Sequence, residues 1–276
     1  MAMYKLQKYN PDKLVWPAIA SVKHDGVCGV FKDGQVFSRD GKPILSIKNP
    51  FDPNVIVLGE LIVPGLDFAL GAGVVRRKTL QKGIHIKVFD VIDPDYREMI
   101  YADRLLSAKL MVEHMQQFGI DNTSLVDYRL VRSDEDVQAW YEELPEGSEG
   151  LVIRHPEGIY SPGKRVWHVQ KLKRMLTMTA VVVGVDRADD KKGVQTDMVG
   201  QFWCVDVDHL EELHDGNYDA WMFKVGPGST THEERTTWLA NPDLIVGKRV
   251  EVEYMPGGGY NKPRQPILQR VRWDHE

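Results

Sequence analysis

The 276-residue sequence predicts an α+β protein in two parts, a mixed domain over residues 1–174 and an all-β domain over residues 175–276. Three observations carry this expectation. The first part holds short β-branched runs bounded by Pro or Gly, then two stretches of helical periodicity. Beyond Lys173 the pattern changes to five short apolar runs separated by turn-rich segments.

The elements follow in chain order. "VCGVFKDGQVFS" (27–38) is two apolar runs joined by Asp33-Gly34, a strong hairpin signal, and Lys23 lies on the approach to it. "NVIVLGELIV" (54–63) and "IHIKVFDVID" (84–93) read as buried strands. In "YADRLLSAKLMVEHMQQFG", Leu105, Leu106, Met111, Met115 and Phe118 recur at helical spacing, and Gly119 suits the position after a helix C-terminus. A second helix starts at Ser133, which with Asp136 resembles a capping box, and stops before Pro145. "EGLVIRH" (149–155) is a further strand. After Lys173 come "TAVVVGV", "QFWCVDV", "DAWMFKVG", "RVEVEYM" and "ILQRVRW", with a short helix in "TTHEERTTWLANP" between the third and fourth. Five strands with that helix placement match the order of an OB-fold, a partly open barrel.

Composition narrows the function classes. No apolar run approaches the roughly 18 residues of a membrane span, and the N-terminus lacks a long apolar stretch before a cleavage site, so a cytoplasmic location without membrane attachment is expected. Cys28 and Cys204 are the two cysteines and have no CxxC partner, which argues against a disulfide framework or a zinc ribbon. The formal charge of −5 is not that of a basic nucleic-acid domain, so any such binding falls to local patches. Candidates are Arg76, Arg77, Lys78 and Lys82; Lys164, Arg165, Lys171, Lys173 and Arg174; and Lys262, Arg264, Arg270 and Arg272.

"KHDG" (23–26) alone is weak, since a K-x-D-G match arises by chance in on the order of one chain in twenty of this length. A series of segments in order changes its weight. "KHDG", "SRDGKPI" (38–44), "GEL" (59–61), "VFD" (88–90), "EGLVIR" (149–154), "KLK" (171–173) and the terminal "PRQPILQRVRWD" together resemble the motif series of the covalent nucleotidyltransferases, the superfamily of ATP-dependent DNA ligases, RNA ligases and mRNA capping enzymes. The arginine-rich ending is most similar to that of small, two-domain ATP-dependent DNA ligases.

The resemblance implies a nucleotidyltransferase (adenylation) domain of antiparallel sheets with flanking helices, followed by an OB-fold domain. It implies a monomeric enzyme that takes ATP, with Mg2+ or Mn2+, and seals 5′-phosphate/3′-hydroxyl nicks in double-stranded DNA. Lys23 would be the nucleophile that carries AMP. Only about one lysine amine in two thousand is neutral at pH 7, so neighbouring cations or desolvation must assist it. By the same resemblance Lys171 and Lys173 contact the attacked phosphate, Glu60 the ribose, and Glu149 the metal with Glu60 as a second carboxylate; Phe89 stacks on adenine. Arg39, Lys164, Arg165 and Arg264 are assigned to DNA, and Arg264 and Arg272 to orienting pyrophosphate. Before the family is considered, Phe89 reads as core and the arginines as surface residues, while a carboxylate in so apolar a run as that around Glu60 needs a partner or metal.

Three positions depart from the pattern. Cys28 stands where DNA ligases usually carry an arginine, Leu58 where an aspartate is common, and Arg154 where a lysine is frequent. An RNA ligase, a GTP-using capping enzyme, and a non-catalytic OB-fold module that binds nucleic acid remain as alternatives at this point.

Overall fold

The computed structural model describes residues 3–145, 148–210, 221–256 and 262–273. It divides into two compact units, Met1–Lys173 and Arg174–Glu276.

The first unit is built on two five-stranded sheets. One has the order β1 (Lys5–Lys8), β10 (Arg165–Lys173), β9 (Gly150–Arg154), β2 (Ala18–Lys23), β8 (Tyr128–Val131). The other runs β4 (Gln35–Ser38), β3 (Val27–Lys32), β5 (Ile56–Ile62), β6 (His85–Ile92), β7 (Thr123–Leu125). Most pairings are antiparallel; β1 with β10 and β6 with β7 are parallel. Asp33 and Gly34 both have positive φ, as the hairpin between β3 and β4 requires.

Side chains alternate across each strand, and that alternation assigns every face. Val57, Leu61, Ile86 and Val88 pack under α1 (Phe68–Val75) and α2 (Tyr101–Gln117) through Val75, Ala108, Val112 and Met115. Ala18, Ala20, Leu151 and Ile153 pack under α3 (Asp134–Glu142) through Val137 and Trp140. The opposite faces meet each other: Val30, Ile56, Leu58 and Ile92 of one sheet pack with Val152 and Val169 of the other and with Tyr4, just before β1. The result is a cleft between the sheets, floored by that cluster.

One reading of the first unit needs correction. The buried stripe of α2 is Tyr101, Arg104, Leu105, Ala108, Val112 and Met115, while Leu106 and Phe118 are 55% and 72% exposed. The spacing identified a helix but placed its inner face partly wrong, because Arg104 and Ala108 do not announce burial. The basic stretch around Lys171, which the sequence marks only as a candidate patch, forms strand β10. Ser133 caps α3, accepting a hydrogen bond from the Asp136 amide, and Gly119 follows α2 with φ 78°.

In the second unit the order is β13 (Phe223–Val225), β12 (Gln195–Asp206), β11 (Leu176–Asp189), β14 (Arg249–Met255), β15 (Arg264–Arg272). Gly226, just after β13, pairs in parallel with Ile267 of β15 and closes the barrel. The helix after the third strand, α4 (His232–Ala240), carries a full capping box of Thr231 and Glu234. Ala180, Val182, Phe202, Cys204, Trp238, Val250 and Leu268 form its core. This is the OB-fold arrangement the strand order predicts.

Candidate active site

Lys23 ends β2, and its Cα partner on β9 is Gly150, whose partner on the other side is Lys173 of β10. Glu149, one residue before Gly150, donates its amide hydrogen to the Lys23 carbonyl at 3.1 Å. Its carboxylate is 7% exposed and divides its two oxygens: Oε2 pairs with the Lys23 ammonium and Oε1 with the Lys173 ammonium at 3.1 Å. Burial would push the Glu149 carboxyl up; the two lysines outweigh it and hold it below the ordinary glutamate value.

Alternation places the rest. Val22 and Leu172 pack on the α3 side, so Lys23, Lys171 and Lys173 share the cleft face. Lys171 is partly buried, and desolvation, then Lys173 and Lys23, lower its affinity for a proton. From the other sheet, Glu60 of β5 lies opposite Cys28 of β3 and Lys87 of β6. Desolvation pushes the Glu60 carboxyl up to about 8; Lys23 opposes this, and Glu149 and Asp25 add to it. Glu60, Glu149 and Lys23 therefore belong to one electrostatic cluster.

Phe89 projects from β6 into the apolar floor of the cleft, partly buried. The guanidinium of buried Arg154 stands 5.6 Å from its ring centre and 4.9 Å from that of Tyr101. Arg154 donates to Tyr4 Oη at 3.0 Å and Ser21 Oγ at 3.0 Å. Next to Phe89, fully buried Asp90 takes both arms of Arg104: Nε to Oδ1 at 2.8 Å and Nη2 to Oδ2 at 3.2 Å.

Arg39 is exposed in the turn after β4, with its charge acting on Cys28. Lys164 and Arg165 are exposed at the start of β10, and Arg165 Nη1 donates to the Leu6 carbonyl at 3.2 Å. Arg264 and Arg272 open and close β15 in the second unit; Arg272 pairs with Glu251 at 3.4 Å and lies opposite Arg249.

Sequence reasoning passed over Lys87, His24, Tyr4 and Arg104. His24 is partly buried, its Nε2 has no hydrogen-bond partner, and desolvation followed by Lys87 lowers its pKa to about 4, so the imidazole is neutral. Its place in "KHDG" was a signal for proximity to Lys23, but nothing in the motif specifies that residue's partner.

A lysine presented from a strand end into a cleft between two antiparallel sheets, facing a glutamate that neighbouring lysines share, with an OB-fold following in the chain, is the arrangement expected of the covalent nucleotidyltransferases. The comparisons with known proteins narrow the class. The family model "ATP dependent DNA ligase domain" matches residues 17–173, and the chain belongs to the ATP-dependent DNA ligases, enzymes whose known activity is the sealing of nicks. The DNA ligase of Enterobacteria phage T3 is 28% identical over 318 residues, covering 92% of this chain and 89% of the phage protein. A solved structure from a structure-function study of Lig E DNA ligases superposes with TM-score 0.77 at 19% identity, over 99% of each chain. The ATP-dependent DNA ligase from bacteriophage T7 in complex with ATP gives TM-score 0.57 at 17% identity, over 98% of each chain. Both structures share the fold of nucleotidyltransferase and OB domains. Among the described residues, no helix is long and apolar enough to cross a membrane.

Proposed function

We propose that this ligase seals 5′-phosphate/3′-hydroxyl nicks in duplex DNA as a monomer in the cytoplasm, using Lys23 as the covalent carrier of AMP. The observation that carries the reading is the sharing of Glu149 between Lys23 and Lys173 in the cleft.

In the first step the neutral Lys23 amine attacks the α-phosphorus of ATP; an N–P bond forms as the P–O bond to pyrophosphate breaks. Glu149 is the acceptor nearest the proton that the amine must lose. Lys171, whose proton affinity desolvation lowers, and Lys173 face the phosphates, where a bound polyanion raises the proton affinity of Lys171 again. Glu60 binds the ribose hydroxyls, and Phe89 stacks on the base. The AMP then passes to the 5′-phosphate of the nick, and the 3′-hydroxyl displaces it. Arg39, Lys164, Arg165 and Arg264 contact DNA, and Arg264 and Arg272 orient pyrophosphate.

For a divalent ion the donor set is suitable: Glu60 and Glu149 are hard oxygen ligands of one cluster. Among the described residues no group of three or more His, Cys, Asp or Glu side chains gathers to hold a metal. That suits Mg2+, which takes one or two carboxylates and completes its shell with water and substrate phosphates. When bound, it neutralises charge on the phosphates.

The test is incubation with α-labelled ATP and magnesium, followed by denaturing electrophoresis. A gel-stable, acid-labile adduct is expected with the parent protein and none with Lys23→Ala. Unchanged labelling of the variant removes Lys23 from the mechanism. A nicked duplex with DNA and RNA exchanged on either side of the break checks the substrate.

A further inference from the structure

The N-terminal strand brings the cleft one more cation than the mechanism above uses. β1 runs parallel to β10, and its last residue, Lys8, lies opposite Lys171, as Gln7 lies opposite Gln170. Its neighbours fix its face. The register shifts between Leu6 and Gln7, so the face of Lys8 follows from its partner Lys171 and from Tyr9. Tyr9 packs on the α3 side, where its hydroxyl donates to Asp134 at 2.6 Å. Lys8 therefore stands on the cleft side of the sheet. One row across that face reads Lys8, Lys171, Val152, Ser21, and the next reads Lys173, Gly150, Lys23.

Like charges directly opposite one another on adjacent strands repel. Of the four lysines in these two rows, Lys23 and Lys173 divide the Glu149 carboxylate between them. Among the described residues Lys8 makes no ion pair, and it is exposed. A counter-ion with several oxygens placed over Lys8 and Lys171 would offset the like charge of the pair.

We propose that Lys8 binds phosphate oxygens of the substrate beside Lys171, which makes the N-terminal strand part of the ligation site. The proposal rests on the reading of Lys23 as the nucleophile. Two sources supply such oxygens, the polyphosphate end of ATP and the phosphates of the strand being sealed.

Two assays on the full chain separate them, each with Lys8→Ala and Lys8→Arg. One measures the rate of labelling from α-labelled ATP across ATP concentrations. The other measures single-turnover sealing, without ATP, of a nicked duplex already adenylylated at its 5′-phosphate. Lys8→Ala is expected to slow one arm on the order of tenfold, the first if the oxygens are those of ATP and the second if they are those of DNA. Lys8→Arg retains most of the rate, and Lys8→Ala, which removes one of the repelling charges, does not lower the melting temperature. Both arms unchanged in Lys8→Ala overturn the proposal, as does Lys8→Arg failing to the same degree as Lys8→Ala. Labelling that survives Lys23→Ala overturns the nucleophile reading instead, and the pre-adenylylated arm still reports on Lys8 because it bypasses that step.

Discussion

A Cβ on Gly150 would lie 2.0 Å from the carbonyl oxygen of Leu172. The glycine also has φ 135°, where side chains are strained. Both facts follow from its place: it is the point at which β10 closes on β9 so that Lys173 and Lys23 flank one residue.

Gly150→Ala must therefore push β10 away or twist the start of β9, and either motion separates Glu149 from its lysines. The expected cost is about 2–4 kcal/mol in urea unfolding, with self-labelling by ATP reduced more than the loss of folded protein explains. An alanine variant with parent stability and parent labelling contradicts this account of the glycine.

The same residue marks how far the sequence could be read. "EGLVIR" located Glu149, but only the backbone reveals why a glycine must follow it. The strands around Glu60 and Phe89 were legible because they are β-branched runs bounded by Pro or Gly, whereas the grouping of Lys23, Glu60 and Phe89 came from the motif resemblance, since a strand's own pattern carries no information about its partner across a cleft. β10 was not legible as a strand: Arg165, Trp167, His168, Gln170 and Lys171 mask a period of two, and its pairing with β1 is irregular. Nor could Arg104 be read as buried. Its partner Asp90 lies on another element, and an arginine within a helix ordinarily faces water.

Glu60 gives a prediction with a defined sign. Desolvation raises its folded-state pKa to about 8 from an ordinary value of 4.5, so the folded protein holds a proton that the unfolded chain releases. The associated stability is full below pH 4.5 and declines as pH rises through 8. Glu60→Gln keeps a neutral side chain at every pH and should flatten that decline. Urea midpoints of parent and variant, followed across this window, check it; parallel curves would show that the carboxyl ionises freely.

The Cys28 thiol is pushed above its ordinary range, first by burial and then by the Glu60 opposite it, with Arg39 and Lys23 opposing. Its sulfur also touches Met3 Sδ at 3.1 Å. Thiolate is the reactive form, so the native protein should resist alkylation by iodoacetamide at about pH 8 while the unfolded chain reacts. Mass spectrometry of the two states reads this directly. Labelling of Cys28 in the native protein at the rate of a free thiol would reverse the assignment.

Arg104 and Asp90 form a buried bidentate pair whose remaining valences are also used: Arg104 Nη1 donates to the carbonyls of Met99 at 2.7 Å and Gly158 at 3.1 Å. Removing one member leaves the other charged without its partner in a low-dielectric interior. Arg104→Leu and Asp90→Leu are each expected to destabilise by about 3–5 kcal/mol. The double variant should lose less than the sum, because no lone charge remains. Function separates this pair from an inert staple. Asp90 adjoins Phe89, whose carbonyl accepts a hydrogen bond from Tyr101 at 3.5 Å, and Tyr101 lies under the Arg104 guanidinium. A folded double variant should therefore hold ATP more weakly, with KM raised more than kcat is lowered in the labelling assay. Strictly additive unfolding energies would mean that the two charges do not depend on each other, and an unchanged KM would detach the pair from nucleotide binding.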